Sequence, residues 1–319
     1  MDAIVVGIDV SKDKLDIALR PGGEAFGVSR DAPGLDALIA RIVPLSPTAV
    51  ALEATGGFET VVAASLAAAG LPVAVVNPAQ VRAFATALGK RAKTDPIDAA
   101  VIAHFAEAAK PDIRPLPNEA AQYLSDLVTR RRQIIQVIVA ERQRQRQLSG
   151  KRLQKSIARL IKALEKELSS LDQDIDNAVR GSPAFRETED LLASVPGVGP
   201  TIARTLIAEL PELGTLDRKK IAALAGLAPW TRQSGRWKGK SFIGGGRPFV
   251  RAALFMGALV AARHNPALRA FKERLINAGK PKLVAVIAAA RKLLTILNTM
   301  VRDRKTWCDV ERKLADAKA

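Results

Sequence analysis

The sequence predicts an α/β domain, then a long helical region, then a mainly α-helical C-terminal domain. Three observations predict this. The first ~110 residues alternate strand-like apolar runs with helix-like ones. From about 118 to 180, helix formers dominate and Gly150 is the only strong breaker. The remainder reads as helical, with loop-rich interruptions at Val195–Pro200 and Pro229–Pro248. The expected domains are 1–110, 118–182 and 185–319, with the three-proline segment PDIRPLP (111–117) as a linker.

In chain order, strands are expected at Ala3–Asp9, Leu15–Leu19, Ala25–Ser29, Ala49–Glu53 and Pro72–Val76. Helices are expected at Leu35–Val43, Phe58–Ala69, Ala79–Leu88 and Pro96–Ala109. Short polar connections join the first three strands, as in an antiparallel meander. The later strands alternate with helices, as parallel βαβ units do. Three antiparallel strands followed by βαβα is the order of the ribonuclease H superfamily.

Farther on, Ile157, Ile161, Leu164, Leu168, Leu171 and Ile175 step by four and three, a heptad seam that suits a dimerising coiled coil. Leu124, Leu127, Ile134, Ile138 and Leu148 give a looser stripe. One continuous helix here would reach roughly 90 Å; a helical hairpin broken near Ser149–Gly150 is equally allowed. In SVPGVGPTIARTLIAEL, Gly197 and Gly199 flank Val198 and Pro200 opens a helix, the pattern of a helix-hairpin-helix. Such a turn exposes backbone N–H groups that bind DNA phosphate without reading bases.

Charge narrows the partner. The net charge of +17 is unevenly spread. Residues 1–110 carry 10 Lys/Arg against 12 Asp/Glu, a net of −2, while residues 111–319 carry 39 against 20, a net of +19. That asymmetry suits a catalytic domain joined to nucleic-acid-binding modules. A single cysteine, Cys308, excludes an intrachain disulfide. Two separated histidines, His104 and His264, do not make a zinc site. The N-terminus lacks a charged leader, and the apolar stretch LVAVIAAA is too short to span a bilayer. A soluble cytoplasmic protein without membrane contact is expected.

Four acids stand in or beside apolar stretches: Asp9, Glu53, Asp95 and Asp98. An ionised carboxylate leaving water among aliphatic neighbours costs several kcal/mol unless a cation or donors compensate it. Asp95 and Asp98 have a local explanation, since Asp95 suits an N-cap before Pro96 and Asp98 suits the helix macrodipole. Three residues apart, they also share a helix face and could hold Mg²⁺ or Mn²⁺ with acids from the strands. An actin-like ATPase would need a glycine-rich loop after Asp9, and Val10–Lys14 has no glycine.

The stretch WTRQSGRWKGKSFIGGGRPFVR (Trp230–Arg251) has six basic residues and no acid. Arg232, Arg236, Lys238, Lys240, Arg247 and Arg251 alternate with Trp230 and Trp237, an arrangement suited to phosphates and unpaired bases. Ser234 and Ser241 lie among them, and either could attack a phosphodiester whose developing charge the cations neutralise. Gly244–Gly246 suit close approach to phosphate rather than a dinucleotide fingerprint.

The blocks GIDVSKDKLDIAL, LEATGGFE and KTDPIDAAVIAHFA, followed by SVPGVGPTIARTLIAEL, LAGLAP, QSG and IGGGRPFVRAALF, resemble the DEDD-type insertion-sequence transposases in order and spacing. That family includes the pilin-gene DNA invertases, and its first domain resembles the Holliday-junction resolvases. The resemblance implies that Asp9, Glu53, Asp95 and Asp98 bind metal and that Ser234 is the nucleophile, with Ser241 as runner-up. It further implies action on the element's own DNA ends, guided by an element-encoded bridging RNA. The helical region would assemble a dimer or tetramer, and Ser234 would meet the tetrad across a domain or subunit boundary. Two other readings stay open: a resolvase or nuclease whose acids activate water, and a scaffold whose acids only cap and pack.

Overall fold

The structure, a computed structural model, describes residues 3–90, 94–114 and 117–308. They belong to two compact units, Met1–Leu116 and Pro117–Ala319. The division falls inside the proline-rich segment, of which Pro115 and Leu116 lie outside the described residues.

The first unit runs β1 (Val5–Val10), β2 (Lys14–Arg20), β3 (Ala25–Ser29), α1 (Ala32–Ile42), β4 (Ala49–Glu53), α2 (Phe58–Ala68), β5 (Val73–Val76), α3 (Pro78–Ala87) and α4 (Asp95–Ala109). Its sheet has the order β3-β2-β1-β4-β5. β1–β2 and β2–β3 are antiparallel, whereas β1–β4 and β4–β5 are parallel, the mixed α/β order expected from the sequence.

Strand alternation sorts the two faces. Val6, Ile8, Val10, Ile17, Val50 and Leu52 pack under α1 and α2, against Leu35, Leu38, Val62 and Leu66. The opposite face carries Val5, Ala49, Ala51 and Val76, covered by α3 and α4. Small residues let α4 lie close to the sheet: Ala18 packs with Ala99 and Ala103, and a Cβ on Gly7 would stand 2.2 Å from the Ala103 nitrogen. At the far end of α4, Glu107 pairs with Arg20 of β2 at 2.7 Å.

The expected cap of α4 is displaced by one residue. Thr94 is the N-cap and makes no side-chain capping bond, while Asp95 is the first helical residue. The macrodipole still favours both acids, which stand in this first turn.

Among the described residues, the second unit is helical apart from four two-residue strands. It comprises α5 (Glu119–Gln147), α6 (Lys151–Gly181), α7 (Pro183–Ala193), α8 (Pro200–Glu209), α9 (Arg218–Leu224), β6 (Pro229–Trp230), β7 (Gln233–Ser234), β8 (Trp237–Lys238), β9 (Phe242–Ile243), α10 (Pro248–His264), α11 (Pro266–Asn277) and α12 (Lys282–Asp303). The chain turns at Leu148–Gly150, and α5 and α6 run antiparallel, with Arg131 on Asp172 at 2.5 Å and Arg142 on Glu165 at 2.7 Å. The heptad seam is thereby covered within the chain: Ile161, Leu171 and Ile175 pack against Leu124, Leu127, Ile134 and Ile138. Leu153 and Leu160, near the start of the same helix, stay exposed.

The stretch LVAVIAAA is part of the longer helix α12, whose 22 residues are numerous and apolar enough to cross a membrane. Packing accounts for that composition. Leu293, Leu294, Leu297 and Met300 are fully buried against Val250, Leu254 and Ala258 of α10 and Ile221 of α9. The buried Asn298 of α12 accepts from the Gly214 N–H and donates to the Leu216 carbonyl, both at 2.8 Å, fixing the loop before α9.

Candidate active site and nucleic-acid interface

The acids of the first unit converge because of strand register. Gly7 and Asp9 face α4, as do Ala51 and Glu53 on the neighbouring parallel strand, where Ile8 pairs with Leu52. Asp9 and Glu53 therefore end adjacent strands on one face of the sheet. The first turn of α4 brings Asp95, exposed, and Asp98, half-buried. Burial, followed by the carboxylates of Asp98, Asp95, Glu53 and Asp16, pushes the Asp9 carboxyl up to about 6. Four acids near enough to resist ionisation of a fifth form one electrostatic site.

Asp16 was not among the acids the sequence singled out. It lies opposite Asp9 in the β1–β2 ladder and is only 5% exposed. Its charge is answered by Lys14, at 2.6 Å. A Cβ on Gly27 would stand 2.7 Å from Cε of Lys14, so the glycine leaves room for that chain. An acid inside the apolar strand KLDIALR is the same signal that singled out Asp9.

Among the described residues, no three His, Cys, Asp or Glu side chains already stand at metal-binding distance from a common point. The tetrad is thus a field of hard oxygen donors rather than a closed cage. The donor set fits a hard divalent cation: carboxylates alone, with the central one resisting ionisation because of its burial and its acidic neighbours.

In the second unit, Ser234 is exposed on β7 and paired in register with Trp237. Gly235, at φ +54°, makes the turn between them. Ser241 instead lies 3.3 Å from the Thr231 hydroxyl. Trp230 and Trp237 are 53% and 58% exposed, and Trp230 lies against Phe242 with 5.9 Å between ring centroids. Arg232 lies over Phe242 at 5.3 Å, and Arg251 donates to the Gly245 carbonyl at 2.6 Å. Arg236 and Lys240 are exposed, and the Lys238 side chain lies outside the described residues.

Three residues singled out for nucleic acid have structural partners in the fold. Both terminal nitrogens of Arg247 bind Glu212, at 2.5 and 2.7 Å. A Cβ on Gly197 would meet the Ala261 nitrogen at 2.5 Å, so that glycine lets the turn before α8 rest on α10. Gly246 likewise sits against the backbone of Leu224 and Gly226. Gly199, by contrast, is exposed as the N-cap of α8.

A DEDD transposase model of the IS110 type matches residues 6–149. The model described as the transposase IS116/IS110/IS902 family matches residues 189–273. The chain belongs to this transposase family. Among its relatives, the pilin gene-inverting protein of Moraxella bovis is 31% identical over 260 residues, 80% of each chain. An insertion element IS900 protein of Mycobacterium paratuberculosis is 32% identical over 163 residues, 48% of this chain and 40% of that one. A structure of T. thermophilus RuvC in complex with a Holliday junction substrate matches with a TM-score of 0.27 and 17% identity, covering 35% of this chain and 99% of that chain. The transposase is therefore an enzyme of the class that cuts and rejoins DNA.

Proposed function

We propose that this transposase cuts and rejoins DNA strands through Ser234, with Asp9, Glu53, Asp95 and Asp98 holding a divalent cation. One observation carries the reading: burial, and then four neighbouring carboxylates, push the Asp9 carboxyl up to about 6, and a cation would relieve the crowding. A bound Mg²⁺ or Mn²⁺ supplies Lewis-acid stabilisation of charge on a phosphoryl oxygen.

The serine chemistry balances without an oxidant or reductant. The Ser234 oxygen bonds to phosphorus and loses its proton to a base, the bond from phosphorus to the leaving strand's oxygen breaks, and that strand departs with a proton on the oxygen. A hydroxyl of another DNA end then attacks the phosphoserine, restoring both the diester and the serine. Exposure of Ser234 on a tight turn supports this role, because an attacking hydroxyl must be open to the diester. Ser241, by contrast, lies against the Thr231 hydroxyl. The exposed Trp230 and Trp237 suit stacking on bases opened near the cut. The exposed Gly199 N-terminus of α8 suits a phosphate.

The reading extends to action in the cytoplasm on the element's own ends, with a bridging RNA as guide. It also includes a homo-oligomer assembled through the helical region, where Leu153 and Leu160 remain uncovered. Ser234→Ala tests the chemistry. It should leave DNA binding intact while abolishing recombination and any covalent protein–DNA adduct. An adduct that persists moves the nucleophile to Ser241 or elsewhere. Cutting that persists without an adduct makes water the nucleophile, and the enzyme a resolvase-like nuclease.

A further inference from the structure

Helix α6 carries a second feature that the chemistry above does not use. Lys151, Arg152, Lys155, Arg159, Lys162 and Lys166 are all exposed. At 3.6 residues per turn they fall within an arc of about 100° on one side of the helix. The apolar residues that meet α5, Ile157, Ile161, Leu168 and Ile175, occupy the opposite side. The basic stripe therefore faces solvent.

Its charge is uncompensated. None of the six cations makes an ion pair among the described residues. The acids of α6 (Glu165, Glu167, Asp172, Asp174 and Asp176) fall outside the arc, and three of them are engaged by arginines of the same unit. Beyond Lys166 the same arc continues through Ser169, Gln173 and Asn177 to Arg180, again without an acid. Ordinary solvated helices interleave both signs, whereas α6 segregates them: every Lys and Arg of the helix lies in this arc and every acid outside it. Six cations of one sign in four turns repel one another.

From Lys151 to Lys166 the stripe is about 22 Å long, roughly two thirds of a duplex turn of about 34 Å. A duplex offers one phosphate per ~3.4 Å of axis on each strand, so several lie within reach of the row. The stripe contains no aromatic side chain, so stacking on unpaired bases is not its chemistry.

We propose that this face of α6 is a sequence-independent dock for the sugar–phosphate backbone of duplex DNA, holding a stretch of the DNA substrate away from the reacting strands. The dock rests on the DNA-recombinase reading, and its chemistry is charge neutralisation rather than base readout.

The experiment replaces all six residues with Gln in the full-length protein and measures binding to a duplex lacking element sequence, over a range of salt concentrations. Gln keeps good helix propensity, and because the six are exposed and without ion pairs, far-UV circular dichroism and Tm should match the parent. Every phosphate that the variant leaves unneutralised should flatten the slope of log K against log salt by about 0.9. A variant that neutralises four to six fewer phosphates should bind at least tenfold more weakly at low salt. A control removes six exposed cations elsewhere in the same unit: Lys219, Arg263, Arg269, Arg274, Lys280 and Lys282. An equal loss in the control would reduce the effect to net charge and overturn the dock. Unchanged affinity and slope in the stripe variant would also overturn it. So would a loss confined to duplex RNA, which would make RNA the partner. Failure of the parent protein to bind any DNA would instead count against the recombinase reading itself.

Discussion

Asp9→Asn should stabilise the metal-free protein, and the pH dependence of that gain identifies its cause. An ordinary aspartate titrates near 3.8, whereas burial and the surrounding acids push Asp9 up to about 6. A carboxyl whose folded value lies above its unfolded value weakens the fold as it ionises. The penalty is absent below about pH 4, grows between pH 4 and 6, and is complete above 6. Two units of displacement correspond to a ceiling of about 3 kcal/mol. Because Asp9 is only partly buried, screening by water reduces this to about 1–2 kcal/mol. For a unit of this size that is a rise in Tm of about 3–6 °C. The assay is thermal unfolding in chelator at pH 8 and at pH 4. The variant should melt higher at pH 8 and level with the parent at pH 4. Added Mg²⁺ should then raise the parent more than the variant, reversing the order. A variant that melts lower than the parent at pH 8 in chelator would refute the reasoning, since the Asp9 charge would then be satisfied by protein donors.

Two further substitutions test how the framework positions these groups. Gly7→Val puts side-chain atoms where a Cβ alone would stand 2.2 Å from the Ala103 nitrogen. It should cost about 1–3 kcal/mol by overpacking and push α4 off the sheet, so calorimetry should record weaker Mg²⁺ binding although no acid has changed. Arg247→Gln leaves Glu212, mostly buried, without its bidentate partner. It should lower stability by about 1–3 kcal/mol yet change DNA affinity less than Arg236→Gln, whose cation is exposed. The opposite ranking would make Arg247 a nucleic-acid contact rather than an anchor for the loop.

The parts of this molecule legible in the sequence are those set by local periodicity. The strand and helix order of the first unit follows from alternating apolar residues and turn signals, and the element boundaries shift by three residues or fewer. What put Asp9 and Glu53 on one face was also present in one dimension: Gly7 and Ala51 lie two residues before them, and that side of the sheet must stay small for α4 to pack. The role of Asp16 was less visible, because its importance comes from a cross-strand partner, Asp9, and a cation two residues away. Sequence spacing cannot report a register.

Long-range pairing explains the other differences. Arg247 reads as one more free cation in a basic loop, and only the fold brings Glu212 to it across 35 residues. Gly197 reads as a phosphate-binding turn, and only the fold shows Ala261 behind it. The heptad seam of α6 was legible, but its partner was not, because a dimer and an antiparallel neighbour demand the same apolar spacing. The basic stripe on the opposite side of α6 is the converse case. Once α5 covers the seam, the direction in which those six cations face is fixed, and a feature that looked like diffuse charge becomes a directed surface.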